Sequence, residues 1–328
     1  MFRKLVFAAA CLAFFVVVVG AYVRLEDAGL GCPDWPGCYG HLVGVPDQAH
    51  EVARAEQAFG KQVDAGRAWK EMFHRYLAGT LGLLILAIAV LAWRKRSALR
   101  QSPVLASAIV ALVLLQAMLG MWTVTMLLKP AIVTLHLLGG MTTLGLLAWL
   151  GLRQLSLSGS GDPDRARRLR PWAALGLVIV IVQIALGGWV STNYAALACV
   201  DFPTCHGEWL PQMDFRHAFQ FVRELGMTAA GAPLSYEALT AIHWTHRVGA
   251  LVTLLYIGGL ALAVLRTRGF ALLGGLLLVV LLLQVSLGVA NVVMRLPLPL
   301  AAAHNAGAAL LLIMLIMLNF ALSRKSAK

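Results

Sequence analysis

The chain has 328 residues, 60% of them hydrophobic and only 13% charged. Soluble globular domains average about 45–50% apolar and about 25% charged residues, which excludes an ordinary water-soluble enzyme; disorder is excluded too, because it needs low hydrophobicity. The formal net charge of +12 would suggest a nucleic-acid partner in a soluble chain, so its meaning depends on where the charges lie.

Eight stretches are apolar over the ~20 residues that a helix needs to cross the hydrocarbon core. They lie at about 5–24, 72–93, 104–127, 131–152, 172–192, 240–265, 269–293 and 299–322. They are continuously apolar rather than alternating, so they predict helices and not barrel strands. The first stretch, behind Arg3 and Lys4, reads either as a signal peptide or as a retained span. The repeat described below pairs it with the fifth span and favours retention.

Between the first and second spans runs a long loop, about 25–70. Its segment Asp47–Lys70 reads as an amphipathic surface helix. A second long loop covers about 193–238, whereas tight turns are expected near Lys129-Pro130 and Arg295-Leu-Pro297. The N-terminus, the loops at 93–103, 153–170 and 266–268, and the C-terminal tail hold 16 Lys/Arg against 2 acids. The opposite side holds 11 Lys/Arg and 13 acids. The positive-inside rule then places both termini in the cytoplasm. The cluster Arg165-Ala-Arg167-Arg168 reads as a solvated loop beside anionic headgroups.

The chain repeats itself. Ala28-x-Leu30-x-Cys32-x-Asp34-x-Pro36-x-Cys38 returns as Ala195-x-Leu197-x-Cys199-x-Asp201-x-Pro203-x-Cys205, 167 residues on, and Gly20 returns as Gly187. Leu114-Leu-Gln116-x-x-Leu119-Gly120 returns as Leu282-Leu-Gln284-x-x-Leu287-Gly288, 168 residues on. Four spans per half make the two copies parallel in topology. The expected fold is an all-α polytopic membrane protein whose eight transmembrane helices form two pseudo-symmetric four-helix bundles. The predicted units are 1–153, a cytoplasmic linker at 154–170, and 171–328.

Four histidines sit at repeat-related places within the spans. His74 pairs with His246, and His136 with His304. Each lies in the first turns of a helix running inward from the long-loop side. Two imidazoles per half on facing helices suit a bis-histidine haem. The bland reading, a membrane histidine bonded to a neighbouring carbonyl, explains one such residue better than four at matched depth. A zinc site normally takes three or four ligands, which two per half do not supply. Arg75 and Arg247 each follow a candidate ligand and read either as propionate contacts or as snorkelling interfacial cations.

Three residues before the ligand, the halves differ: Glu71 stands in the first and His243 in the second. Glu71 reads as a base or cation stabiliser beside a haem edge, or as an interfacial carboxylate paired with Arg67 or Lys70. His243 reads as a neighbour of the ligand rather than a fifth ligand. Cys32 with Cys38, and Cys199 with Cys205, read either as structural disulfide clips or as redox-active pairs. Cys11 reads as a packing residue. His41, His50, His206 and His217 have no partner spacing and receive no role.

On Glu71-x-x-His74-Arg75, His136, His246-Arg247, His304 and the two Cys-x5-Cys loops, the chain resembles the heme A synthase family over essentially all eight spans. The resemblance implies oxidation of the C8 methyl of heme O, the substrate, to a formyl group, giving heme A for terminal oxidases. It implies that His74 and His136 hold the substrate haem with Glu71 beside the reacting methyl. It implies that His246 and His304 ligate a heme b that relays electrons. It also implies an inner-membrane setting with the Cys-bearing loops outside, near heme O synthase, oxidase assembly factors and a membrane electron acceptor. Two other readings use the same histidines: a diheme, quinol-linked electron carrier, which needs no Glu71, and a haem transporter.

Overall fold

The computed structural model describes residues 1–99, 102–155 and 162–323. Residues 100–101, residues 156–161 of the linker expected at 154–170, and the tail from 324 lie outside the described residues. The described helices, in chain order, are α1 (Phe2–Leu25), α2 (Ala49–Phe59), α3 (Ala65–Arg94), α4 (Arg96–Leu99), α5 (Val104–Thr125) and α6 (Pro130–Leu152). They continue with α7 (Pro163–Thr192), α8 (Phe215–Ala218), α9 (Tyr236–Leu265), α10 (Ala271–Val293) and α11 (Leu298–Ser323). Eight of these are long and apolar enough to cross a membrane: α1, α3, α5, α6, α7, α9, α10 and α11.

Several helices begin earlier than their apolar cores, because polar caps start them outside the hydrophobic stretch. The Asp64 carboxylate accepts from the Arg67 N–H at 3.0 Å and opens α3. Asp162 accepts from the N–H groups of Asp164 and Arg165 with Pro163 as the next residue, and opens α7. Ser235 caps α9 through the Ala238 N–H. The Arg165–Arg168 cluster is therefore exposed helix and not a loop. The expected helix over 47–70 is likewise two pieces. Gly60, at φ +62°, ends α2 in the left-handed conformation that glycine adopts without strain, and α3 starts five residues later.

The tight turns after α5 and α10 are built alike. Leu127 and Leu128, and Arg295 and Leu296, all have positive φ. In each pair the second residue's N–H reaches back to close the helix end, Leu128 to Thr123 and Leu296 to Asn291. The next helix then starts immediately.

Within residues 1–155, α1 packs on α3 and α6, and α5 packs on α6 and α3. Beyond, α7 packs on α9 and α11, and α10 packs on α11 and α9. The two groups meet where α1 touches α11, α6 touches α7, and α6 touches α11. Half of the α11 span is buried but only 17% of α5 and of α10. So α11 lies centrally and α5 and α10 present mostly apolar outer faces, as lipid-facing helices do. Trp149 and Phe320 meet edge-to-face at 5.3 Å across the junction, and the Asn319 amide donates to the Ala173 carbonyl at 3.0 Å. Cys11 is exposed on α1 rather than packed in the core.

At the long-loop end the junction joins repeat mates directly. Arg24 donates to the Ser191 carbonyl at 3.0 Å and stacks over the Tyr194 ring at 4.1 Å. The Tyr194 hydroxyl donates to Asp27 at 2.8 Å. Each hydrogen-bonded pair is separated by the repeat offset of 167 residues.

Candidate haem sites

All four span histidines are partly buried and each lies against a glycine of a neighbouring helix. A methyl added at Gly20 would sit 2.8 Å from His74 Cε1, and one at Gly187 3.1 Å from His246 Cε1. The same holds for Gly120 and His136 at 3.4 Å, and for Gly288 and His304 at 3.0 Å. Any larger side chain would push the ring away. His74 and His136 lie within electrostatic range of each other, as do His246 and His304. Among the described residues no three His, Cys, Asp or Glu side chains gather as metal ligands.

These residues fit a haem held between two imidazoles in each half. Nδ1 of His74, His136 and His304 is buried without a hydrogen-bond partner, and the glycine cradles leave no room for a bulkier contact. The repeated Leu-Leu-Gln-x-x-Leu-Gly motif belongs to the same construction. Its glycine seats the imidazole. Its glutamine, one turn earlier, lies against a glycine of the histidine's own helix, Gln116 against Gly139 and Gln284 against Gly307. The Gln284 amide nitrogen lies 3.4 Å from His304 Nε2.

Glu71 is only 5% exposed. Its carboxylate accepts from the Cys32 N–H at 2.9 Å and from Arg75 Nη2 at 2.5 Å. The expected pairings go elsewhere: Arg67 to Asp64 and Lys70 to Glu26. Arg75 Nη1 donates to the carbonyls of Asp34 at 3.0 Å, Pro36 at 3.2 Å, and Gly37. Arg247 does the same work in the other half. It donates to the carbonyls of Thr204 and Cys199, both at 2.8 Å, and its Nε reaches His243 Nε2 at 3.3 Å. Both arginines thus clamp a Cys loop onto the helix that carries the histidine. Arg75 Nη1 and both Nη groups of Arg247 are turned to loop carbonyls, and Arg75 Nη2 to Glu71, which limits what remains for a propionate.

The loops themselves explain their shared motif. Cys32 is bonded to Cys38 and Cys199 to Cys205. Inside each loop one aspartate gathers backbone N–H groups. Asp34 accepts from Tyr39 at 2.6 Å and Gly40 at 2.8 Å. Asp201 accepts from His206 at 2.7 Å and Gly207 at 3.0 Å, and also from the Thr204 hydroxyl at 2.7 Å. The Thr204 hydroxyl, and then the Gly207 N–H, hold the Asp201 carboxyl well below the usual carboxylate range.

The longer second loop has its own anchor. Arg223, 5% exposed, donates to Asn193, to the Met227 carbonyl at 2.9 Å and to the Gln220 carbonyl at 3.1 Å. Lys129 pairs with Glu224 at 2.8 Å and ties this loop to the turn before α6. Two histidines without an assigned role have structural partners. His217 pairs with Asp214 at 2.6 Å, and the His206 ring contacts the Ala198 carbonyl at 2.7 Å.

Sequence reasoning passed over Gln183, which meets His246 from α7 with Nε2 3.0 Å from Nδ1. The repeat gave no signal for it, because Val16 stands at the matching place.

With eight candidate membrane-spanning helices and four half-buried histidines on four of them, the chain is a polytopic helical membrane protein in architecture. The description of the COX15-CtaA family, cytochrome oxidase assembly protein, matches residues 3–316, and the chain belongs to that family. The heme A synthase of Shewanella oneidensis is 45% identical over 313 residues, which cover 95% of this chain and 94% of that protein. The heme A synthase of Chelativorans sp. is 29% identical, over 91% of this chain and 84% of its own length. That of Halalkalibacterium halodurans is 27% identical, over 71% and 72%.

Proposed function

We propose that this protein is a heme A synthase: an oxidoreductase that converts the C8 methyl of heme O to a formyl group in successive steps. The near-full-length likeness to the Shewanella oneidensis enzyme carries this reading. Methyl to formyl removes four electrons and four protons when the oxygen atom comes from water, two of each in the step to the alcohol and two in the next. A membrane electron acceptor takes the electrons.

In this reading the units are 1–153, which takes the substrate haem on His74 and His136, and 171–328, which holds heme b on His246 and His304; 154–170 links them. Heme b, when bound, supplies one-electron relay. The protein's own groups position and protect. Glu71 is the catalytic carboxylate, placed one turn from His74. Placed by the Cys32 N–H and by Arg75, it stabilises a cation that develops on the reacting carbon, or takes the proton of the attacking water. Its repeat mate His243, on α9, offers no such anionic oxygen. His74 and His136, if both held the substrate haem during the reaction, would favour outer-sphere electron removal.

The two halves are read as pseudo-symmetric four-helix bundles. The matching packing of α1, α3, α5, α6 with α7, α9, α10, α11 supports this. The Arg24–Ser191 and Tyr194–Asp27 contacts support an axis between α1 and α7. The loop charges support cytoplasmic termini, Cys loops on the outer face, and an inner-membrane location. Heme O synthase and oxidase assembly factors are the partners this chemistry calls for.

The test is extraction of haems from cells that make heme O, with and without this protein. Heme A is expected only with it. A diheme electron carrier or a haem transporter would leave heme O unconverted, and that result would overturn the proposal.

A further inference from the structure

α7 turns two residues toward His246, four positions apart and so on one helix face. Gly187 leaves room for the ring. Gln183 places its amide Nε2 3.0 Å from Nδ1 and 3.0 Å from the His246 backbone oxygen. The amide fits because α9 has Gly249 beside it, where a Cβ would come within 2.2 Å of Gln183 Oε1. In the first half the corresponding residues are Val16 and Leu77, so the amide and the glycine that admits it are both missing. Val16 packs against the apolar core instead. Of the four span histidines, only His246 has a hydrogen-bond partner at Nδ1 among the described residues.

An imidazole that binds iron through Nε2 carries its hydrogen on Nδ1, so the group at Nδ1 must accept. Gln183 has the means. Its Oε1 is buried without a partner, and a half-turn of the amide brings that oxygen to Nδ1–H in exchange for the Nε2 bond to the His246 backbone oxygen.

We propose that Gln183 is a positioning residue that fixes His246 as a permanent haem ligand, and that its absence from the first half leaves His74 a releasable one. The proposal rests on the two-haem reading above and deepens it. A relay haem has to stay in place, whereas a substrate haem has to enter and its product leave. A hydrogen bond accepted from Nδ1–H orients the ring and makes it a stronger donor, which favours ferric iron and lowers the potential.

The experiment uses the purified, haem-loaded protein. It compares wild type with Gln183→Val, Gln183→Met and Gln183→Glu. Haem transfer to excess apomyoglobin, redox titration and low-temperature EPR are followed for each haem. In Gln183→Val and Gln183→Met the haem ligated by His246 leaves faster, on the order of tenfold, and its potential rises. The His74 haem is unchanged in both respects. Gln183→Glu, which keeps an acceptor, restores retention. Unchanged release and potential in the valine and methionine variants overturn the proposal. So does full recovery by methionine, which would show that only packing matters. A separate His246→Ala control that keeps its full haem content would instead sink the two-haem reading itself, and the role of Gln183 with it.

Discussion

Arg75 and Arg247 hold their Cys loops through the same kind of carbonyl contacts, yet the residue one turn before each arginine differs. Glu71 takes an N–H from the loop it lies under, and His243 takes the arginine's Nε. The two halves also share a glycine behind every span histidine, but only the second adds an amide, Gln183, to its ring. The shared residues fix a frame: loop, clamp and cradle. The differing residues lie beside an imidazole, Glu71 and His243 one turn along its helix and Gln183 across from it on α7, where a change can act on the ring without altering the fold. A duplicated scaffold can diverge in function at such positions at little cost in stability.

The largest effects should come from the imidazoles. His74→Ala or His136→Ala is expected to abolish haem binding in the first half alone, and His246→Ala or His304→Ala in the second alone. Haem content and EPR signals of the purified variants check this. Loss of both haems from every variant would break the comparison between halves.

Next in size is the carboxylate. Glu71→Gln should lower heme A formation by at least about 100-fold, the lower range for a lost acid–base group, with haem content intact. His243→Gln should cost less than a tenth of that. A Glu71→Gln protein that makes heme A at the normal rate would falsify the catalytic role.

The disulfides come third. Replacing Cys199 and Cys205 by serine should cost about 2–3 kcal/mol, the chain-entropy value for so short a loop, read as a lower Tm. The Cys32/Cys38 double variant should lose similar stability and also activity, because the Cys32 N–H holds Glu71. Equal activity loss from both would erase the functional distinction between the loops.

The cradles are expected to follow. Gly20→Ala and Gly187→Ala each push a Cβ against an imidazole, an overpacking typically worth about 1–3 kcal/mol. The Gly20 variant should weaken haem uptake in the first half and the Gly187 variant in the second.

The smallest effect concerns pH. Asp201 has its folded-state carboxyl pKa lowered, so its stabilisation is complete above the ordinary Asp value of about 4 and is lost as pH falls below it. The protection of residues 199–208 against hydrogen exchange, taken relative to the intrinsic rate at each pH, should therefore fall between about pH 4 and lower values. Asp201→Asn should flatten that dependence.

The sequence made the eight spans legible because a membrane helix must be apolar over a fixed length, and the histidines stood out as polar groups inside those spans. The repeat made their pairing legible as well. Helix starts were less so. Apolarity marks the membrane and not the helix, and Asp64, Asp162 and Ser235 begin helices in polar sequence. The function of the Leu-Leu-Gln-x-x-Leu-Gly motif was hidden, since its glycine and glutamine act on a different helix. Arg67 and Lys70 were plausible partners for Glu71 by proximity along the chain, but the loop brought in the Cys32 N–H from 39 residues away.

What the sequence determined by itself is the class of the protein, the number of its spans and the identity of its candidate ligands, all of which follow from local composition and repeat spacing. Only the tertiary structure decided what each ligand touches. Val16 and Gln183 occupy equivalent places in the repeat, and nothing along the chain tells that one packs into the core while the other reaches an imidazole. That difference goes with Gly249, on another helix, which lies against the Gln183 amide where the first half carries Leu77.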